Sequence, residues 1–511
     1  MEIVADSRSA RLPTLMAVAA AVVAGALVLI ATRHDPLLSP DSVTYLAASD
    51  HFRSGRGLSD FTGAPMTVFG PVFPLLLSPG GRSLAWAAAV GAVAAAVSTL
   101  LMFRLLSGRV RPSIAVCGAL AFACGQGTVR VASTVWSELP YTAIALTMLV
   151  VLTRQRYPFS DRRAALAGFL AGVGFLTRYA GVGLIATGAV VVVVAATGGR
   201  RRRAATLLYY MAAAMVTCLP WVLRNVIRTG EPLGPRFEGG SREPWATLWR
   251  RPLKPIGQLL IGPNVATAER VGAAVVVVLA AGVCILIVLG VQHRRLRAVD
   301  VGIAAFAVTS FVVPVVARAV TSNDIESRVM SPMLVPMVFA AALVGDKLVR
   351  WRVGTVLAAG VLAIWSFQGL TAARDFPEIL PYSAASRTQY APALYDAIEA
   401  LPTGATVLTN SPQRVWWQTS REPTLFAFTR PRPGNSHYPL DADETLRLAC
   451  TGSTHLAWFG QLLNAGKGPD ERRPDLLDVV GLTLEQRVPG GELYLVTPRD
   501  ERRCPVAEHA P

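Results

Sequence analysis

The sequence predicts an all-α polytopic membrane bundle of about eleven transmembrane helices, followed by a small C-terminal α/β domain. Two observations carry this prediction. The 511-residue chain is 52% hydrophobic and only 16% charged, with a mean hydropathy of +0.43. Many of its apolar runs approach 20 residues without a charge, which is the length that crosses a bilayer as a helix. A soluble protein does not need so many such runs, so the composition excludes that class.

Eleven apolar runs follow one another along the first 370 residues. The first is not expected to be a cleaved signal peptide, because no small-residue cleavage site follows it and charged residues end it abruptly. We place the spanning helices at residues 14–32, 83–103, 112–126, 138–153, 164–177, 180–197, 204–222, 271–291, 299–317, 329–345 and 353–370.

The basic residues predict how the bundle is oriented. The net charge of +16 raises the alternative of nucleic-acid binding, but the basic residues cluster in short loops between apolar runs. With the N-terminus inside, the inner loops hold 19 Lys and Arg among 51 residues, and the outer loops hold 16 among 122. Basic residues concentrate on the cytoplasmic side of membrane proteins. We therefore expect a cytoplasmic N-terminus, an extracytoplasmic C-terminus and no nucleic-acid partner.

The chain divides by charge and hydropathy into two parts. Residues 1–370 form the predicted transmembrane domain, with long outer loops at 33–82 and 223–270. Residues 371–511 carry 14 basic and 17 acidic residues and form the predicted outer α/β domain. Its expected strands are 405–409, 455–459 and 492–496. Cys450 and Cys504 both lie in this outer part, where a disulfide is permitted, and the sequence leaves their pairing open.

The first outer loop carries a candidate catalytic carboxylate. Asp41 opens a stretch with helical spacing, in which Tyr45, Leu46 and Ala48 are expected to face the membrane as an interfacial helix. The helix dipole favours a negative charge at this N-terminal position. Taken alone, Asp41 is better explained as a helix N-cap, and it is the further polar residues that favour a catalytic role.

Further polar residues flank the apolar runs on the same predicted side. Glu138 opens the fourth span, either as a helix cap or as a second acid. Placing a lone Arg between apolar helices costs free energy unless the Arg is paired or reaches water. Guanidinium groups also bind phosphate bidentately, so such an Arg is a candidate phosphate ligand. The expected binding residues are therefore Tyr45, Arg178, Tyr179, Arg224, Asn225 and Arg328. Their convergence on one outer cleft is a prediction for the structure.

Several short patterns occur in order along the membrane part. They are Pro40 to Ala48, Gly55 to Leu58, Pro71 to Leu76, Ser137 to Pro140, Leu176 to Gly181, Arg224-Asn225 with Gly230 to Gly234, and Arg328 to Pro336. In these patterns the chain resembles the GT-C superfamily of integral-membrane glycosyltransferases. It is most similar to bacterial members of glycosyltransferase family 39 and related families.

This resemblance implies a GT-C fold, a polyprenyl-phosphate sugar as donor and Asp41 as catalytic base. Many members of the family have two adjacent acids at this point, whereas Ser42 follows Asp41 here. A second acidic partner and a divalent metal are therefore left open, and no cofactor is assigned. Inverting transfer is expected, with Asp41 taking the acceptor proton, Glu138 orienting sugar hydroxyls or assisting the base, and the arginines stabilising the departing phosphate.

The expected partners are the lipid donor, the membrane and a cell-envelope glycan, lipid or protein acceptor. The scarcity of Lys beside abundant Ala, Val and Gly suggests a GC-rich bacterium, and hence the bacterial inner membrane and mannose or arabinose as the sugar. Two other classes are the alternatives: a transporter or flippase for a lipid-linked precursor, and a non-catalytic envelope scaffold. Against transport, no internal repeat is visible and the polar residues cluster at one face, not at mid-membrane.

Overall fold

The structure is a computed structural model, and it is mainly helical. The residues that it describes are 2–153, 160–196, 199–235, 243–263, 265–293, 297–321, 324–376, 391–426, 441–460, 469 and 474–504. The helices of the bundle are α1 (Glu2–Ala31), α2 (Pro40–Arg53), α3 (Val72–Leu77), α4 (Leu84–Ser107), α5 (Pro112–Ala123), α6 (Gln126–Ala132), α7 (Glu138–Thr153), α8 (Asp161–Thr177), α9 (Val182–Ala195), α10 (Arg200–Thr229), α11 (Trp245–Leu248), α12 (Leu253–Ile261), α13 (Ala268–His293), α14 (Ala298–Thr321), α15 (Leu334–Leu348) and α16 (Arg352–Arg374).

Every predicted apolar run contains a helix, but not every helix is long enough to count as a membrane span. Within the described residues, seven helices are long and apolar enough to cross a bilayer, or eight if α5 and α6 form one broken span. Two shorter apolar helices, Glu138–Thr153 and Tyr179–Ala195, fall below that length. The chain is thus a multi-span membrane protein, and the predicted count of eleven is not confirmed.

Two elements differ from their predicted limits. The run at 112–126 is not one straight span, because α5 and α6 meet at a 50° bend. Gly125 caps α6 at this bend, and a Cβ there would lie 2.9 Å from the indole nitrogen of Trp365, so glycine allows the close contact. Helix α10 continues seven residues beyond the predicted end at 222, to Thr229. Arg224 and Asn225 therefore lie on a helix and not in the following loop.

Small residues bring neighbouring helices of the bundle into backbone contact. A Cβ added to Gly168 of α8 would lie 2.0 Å from the Tyr210 carbonyl of α10, and one on Gly172 would meet Thr217 at 2.6 Å. Such contacts are how helices pack inside a membrane, where burial from water gives little driving force. Helices α8 and α10 can lie this close only because both positions lack side chains.

The C-terminal part forms a five-stranded sheet of order β2-β1-β3-β5-β4. The strands are β1 (Thr406–Thr409), β2 (Thr424–Leu425), β3 (Thr454–Phe459), β4 (Val480–Val488) and β5 (Gly491–Pro498). The first three are parallel, and β5 pairs antiparallel with β3 and β4. The three predicted strands correspond to β1, β3 and β5. Cys450 and Cys504 form a disulfide, which decides the pairing that the sequence left open. The boundary at 370/371 stays a prediction.

The C-terminal domain packs on the end of the bundle that carries α2, here called the upper end. Its helix Pro412–Thr419 places Trp416 in one apolar cluster with Val43, Ala47 and Phe61. Arg82 lies 4.4 Å over the Trp416 ring and donates to a main-chain carbonyl of the same helix. The C-terminus of α4 marks the opposite end of the bundle. Just beyond it, Arg109 pairs with Asp300 at 2.8 Å.

Candidate active site at the upper end

Asp41 lies in the first turn of α2 with its side chain free of any capping role. The N-cap is Ser39, whose hydroxyl accepts from the Ser42 amide while the Ser42 hydroxyl accepts from the Ser39 amide, a reciprocal capping box. Pro40 takes the first helical position, where its missing N–H is not needed. Because Ser39 caps the helix, the N-cap explanation of Asp41 is wrong.

Arg328 holds the Asp41 carboxylate. Its Nη1 donates to Asp41 Oδ2 at 2.5 Å, and its Nε lies 2.8 Å from Glu326 Oε2. The guanidinium carbon also lies 5.1 Å from the centre of the Trp136 ring, within cation–π range. Burial opposes the charge of this guanidinium, but Asp41, Glu138 and Glu326 outweigh burial and raise the pKa of Arg328. Arg328 therefore stays cationic in a largely enclosed place.

A second acid–arginine pair lies beside the first. Glu138, at the start of α7, is 2% exposed and pairs with Arg178 Nη1. Arg178 follows the last turn of α8 in extended conformation, which turns its side chain away from the helix. Ser137 Oγ lies 3.5 Å from Arg178 Nη1 and 3.3 Å from the Tyr45 hydroxyl. Arg178 is therefore a paired guanidinium, and snorkelling towards water does not explain it.

The two pairs belong to one site. Tyr45 interacts electrostatically with Asp41, Glu138 and Arg178. Arg328 interacts in the same way with Asp41 and Glu138. Burial first, and then the two carboxylates, raise the pKa of the Tyr45 phenol, which keeps it protonated. Asp41, Arg178 and Arg328 therefore lie near one another, whereas the predicted cleft lined by all three stays a prediction. The catalytic and binding roles of these residues stay predictions.

Helix α2 is not the interfacial helix that its spacing predicts. Residues Ser42 to Ser49 are all buried, so no face of this stretch is left to water. Tyr45 packs between Phe69 and Phe73, with ring centroids 4.8 and 5.0 Å away. The reason is tertiary, since loop residues cover one face of α2 and the C-terminal domain covers another. The result is a rigid support for Asp41.

The loop that precedes α3 accepts hydrogen bonds from Tyr179, Arg224 and Asn225. The Tyr179 hydroxyl donates to the carbonyls of residues 67 and 69, and accepts from the amide nitrogen of Asn225 at 3.0 Å. Arg224 donates to the carbonyls of residues 58 and 66. In this arrangement the three side chains fix the loop that carries Phe69 against Tyr45. Their predicted contacts with substrate stay a prediction.

We expect Tyr179→Phe to act through the loop and not through substrate. The change removes a hydroxyl that donates to two carbonyls and accepts from two donors. One of these donors is Trp221 Nε1, at 2.9 Å. Leaving a buried donor without an acceptor costs about 1–3 kcal/mol. Thermal unfolding in detergent should shift downwards, and kcat should fall while the donor KM stays constant. A raised donor KM with unchanged thermal stability would instead assign Tyr179 to substrate binding.

A pocket adjoins the paired charges on the membrane side. It is small, with a cavity volume of ≈ 20 Å³, and it lies between α7, α9 and α14. Its walls are mostly apolar, with Gly183, Val313 and Pro314 among them, and Arg178 and Val329 stand at its edge. An apolar pocket with a few convergent polar groups is the usual form of a small-molecule site. Arg178 is the charged residue among those that line this one.

Sequence reasoning missed four residues of the site. They are the cap Ser39, the ring of Trp136, the hydroxyl of Ser137 and the carboxylate of Glu326. Trp136 and Ser137 directly precede Glu138, and Glu326 lies two residues before Arg328, so proximity in sequence was the available signal. Among the described residues, no three His, Cys, Asp or Glu side chains are grouped so as to hold a metal ion.

Comparison with known proteins places the fold. No family model and no curated protein matches the sequence. ArnT from Cupriavidus metallidurans, solved bound to undecaprenyl phosphate, is similar at 14% identity and a TM-score of 0.61, over 92% of this chain and 96% of that one. The oligosaccharyltransferase of Archaeoglobus fulgidus, solved with Zn and sulfate, gives 11% identity and a TM-score of 0.52, over 96% and 74%.

The archaeal oligosaccharyltransferase AglB from Archaeoglobus fulgidus, solved with an inhibitory peptide and a dolichol-phosphate, gives 12% identity and a TM-score of 0.50, over 96% of this chain and 75% of that one. These neighbours are GT-C membrane glycosyltransferases. At these identities the similarity shows the fold, and the chain therefore has the GT-C fold that the sequence patterns predicted.

Proposed function

We propose that this chain is a membrane glycosyltransferase that moves a sugar from a polyprenyl phosphate to an acceptor at the upper end of the bundle. The observation that carries the proposal is the gathering of Asp41, Arg328, Glu138 and Arg178 beside an apolar pocket. Structures of the same fold with undecaprenyl phosphate in one and dolichol-phosphate in another support a lipid phosphate as the ligand.

The charges suit the departure of a sugar from a lipid phosphate. In the proposed step the acceptor oxygen attacks the anomeric carbon, the bond from that carbon to the phosphate oxygen breaks, and Asp41 takes the acceptor proton. Negative charge then grows on the phosphate, and Arg178 and Arg328 are fixed cations that can stabilise it. Attack from the face opposite the phosphate inverts the anomeric configuration. Asp41 is 21% exposed, which lets an acceptor from solution reach it.

Glu138 and Tyr45 have supporting parts in this step. Because Glu138 is 2% exposed, it reaches the substrate less readily than Asp41, and it serves to hold Arg178 in place. The protonated Tyr45 phenol donates or accepts a hydrogen bond at Ser137, directly below the two pairs. We assign to both residues the task of fixing Arg178 and Asp41 relative to each other.

We propose that the first isoprenoid units of the donor bind at this apolar pocket, which widens to admit them. Its walls come from apolar helices of the bundle, of which α14 is long enough to span a bilayer, so a lipid can enter sideways while its phosphate stays near Arg178. The positive-inside pattern puts the upper end outside the cytoplasm, and we propose the bacterial plasma membrane as the location. Nucleotide sugars are absent there, which is why a lipid-borne donor is required.

Filling the pocket should weaken the lipid donor specifically. Val313→Phe adds a ring to the pocket wall, and we expect the donor KM to rise about tenfold, since one misfit side chain in an apolar site costs 1–3 kcal/mol. Val316→Phe is the matched control, because Val316 lies on the same helix but is 44% exposed on its outer surface. Equal donor KM values for the two variants, measured in lipid nanodiscs, would show that the donor does not use this pocket.

The substrate class needs one direct assay. Purified protein is incubated with a panel of polyprenyl-phosphate sugars, hexosyl and pentosyl, with mannose and arabinose first, and free polyprenyl phosphate is quantified. We expect release of the lipid phosphate together with a glycosylated acceptor, drawn from envelope glycans, lipids or proteins. Movement of intact donor across the bilayer without cleavage would indicate a flippase and would refute the proposal.

A further inference from the structure

We propose that Glu326 occupies the face of Arg328 that the donor phosphate takes, and that it must leave when the donor binds. This inference rests on the proposed function, because it assumes that Arg328 receives a lipid phosphate. Glu326 then acts as an internal substitute for the phosphate that keeps Arg328 engaged in the donor-free protein.

Arg328 is shared unequally between two carboxylates. Its contact with Asp41 is a hydrogen bond of 2.5 Å, whereas Glu326 lies at 2.8 Å from Nε without the alignment of a hydrogen bond. The Nε atom is buried, and it has no hydrogen-bond acceptor among the described residues. Its proton therefore remains available to a better-placed oxygen.

The two carboxylates also differ in how freely they can move. Asp41 is fixed on a buried helix and is 21% exposed, whereas Glu326 is 57% exposed and lies in a stretch without helix or strand. The Trp136 ring supports the guanidinium from another side. Glu326 can therefore turn outwards while Asp41, Arg328 and Trp136 keep their positions.

Charge makes this movement necessary. One guanidinium and two carboxylates together form a group with net negative charge, and a phosphate placed beside them is repelled by both carboxylates. If Glu326 departs, the phosphate replaces it with charge-assisted bonds to Nε and Nη2.

The test compares two single-charge changes on one segment. Glu326→Gln removes the competing carboxylate, and Asp324→Asn removes a more exposed one that pairs with Arg318 instead, at 3.1 Å. The affinity of full-length protein in nanodiscs for undecaprenyl phosphate is measured by calorimetry. We expect Glu326→Gln to bind about 3- to 10-fold more tightly than wild type, and Asp324→Asn to stay within twofold.

Each other outcome is decisive. If Glu326→Gln binds the lipid phosphate as tightly as wild type or less tightly, the inference is overturned and the proposed function stays in place. Weaker binding is the result expected if Glu326 only supports Arg328, because the variant removes that support. If both variants bind the lipid phosphate more tightly by the same factor, the cause is the change in overall charge, and the inference is also overturned. Failure of the wild type and both variants to bind the lipid phosphate would refute the proposed function and this inference together.

Discussion

Replacing Asp41 by Asn should reduce sugar transfer by about 10²- to 10⁴-fold, the usual contribution of a general base. Asn keeps the size of the side chain and an oxygen that can accept from Arg328 Nη1, now at 2.5 Å from the carboxylate. The capping box of Ser39 and Ser42 is untouched, so α2 keeps its start. The loss should therefore appear in kcat, with donor affinity and thermal unfolding close to those of wild type.

Asp50→Asn is the matched control for this experiment. It makes the same change on the same helix, at the opposite end from Asp41 and beside the Arg82 side chain. We expect this variant to retain transfer within a few-fold. Undiminished turnover in Asp41→Asn, assayed with an active lipid-linked donor, would remove Asp41 from the role of base.

Replacing Arg178 by Gln should damage both stability and turnover. The Glu138 carboxylate is 2% exposed, and without its guanidinium partner it becomes an uncompensated buried charge, which costs roughly 3–5 kcal/mol. Loss of a fixed cation at the departing phosphate should lower kcat by a further ~10²- to 10³-fold. Thermal unfolding in detergent and single-turnover transfer measure the two effects separately.

The double variant Glu138→Gln with Arg178→Gln separates structure from chemistry. It removes both charges, so the buried site is neutral again and most of the lost stability should return. Turnover should remain low, because the cation is still absent. Recovery of transfer along with stability would mean that Arg178 serves the fold alone and does not assist the departing phosphate.

The membrane architecture and the charged residues of the site could be predicted from the sequence, and the reason is physical. A bilayer requires long uncharged helices, so hydropathy marks them, and any charge left at their ends stands out. Asp41, Glu138, Arg178 and Arg328 were found in this way, although they are up to 287 residues apart. The sequence could not show that Asp41 pairs with Arg328 and Glu138 with Arg178, since partners are chosen by helix packing.

The environment of α2 shows where local pattern fails. Its helical spacing indicated a surface helix, but Trp416, more than 360 residues later, covers the face near Val43 and Ala47. The same limit applies to Tyr179, Arg224 and Asn225, whose polar atoms go to main-chain carbonyls of a distant loop. A carbonyl acceptor has no signature in the amino-acid sequence, so such roles become visible only in three dimensions.

The most direct measurement of the central claim is an experimental structure of the chain in nanodiscs with undecaprenyl phosphate. We predict the phosphate at the upper end, within hydrogen-bond distance of Arg328 and beside Arg178, with its lipid in the pocket bounded by α7, α9 and α14. Asp41 should face the adjoining space, where an acceptor can enter. A phosphate bound instead at the opposite end, beside Arg109 and its partner Asp300, would contradict the account.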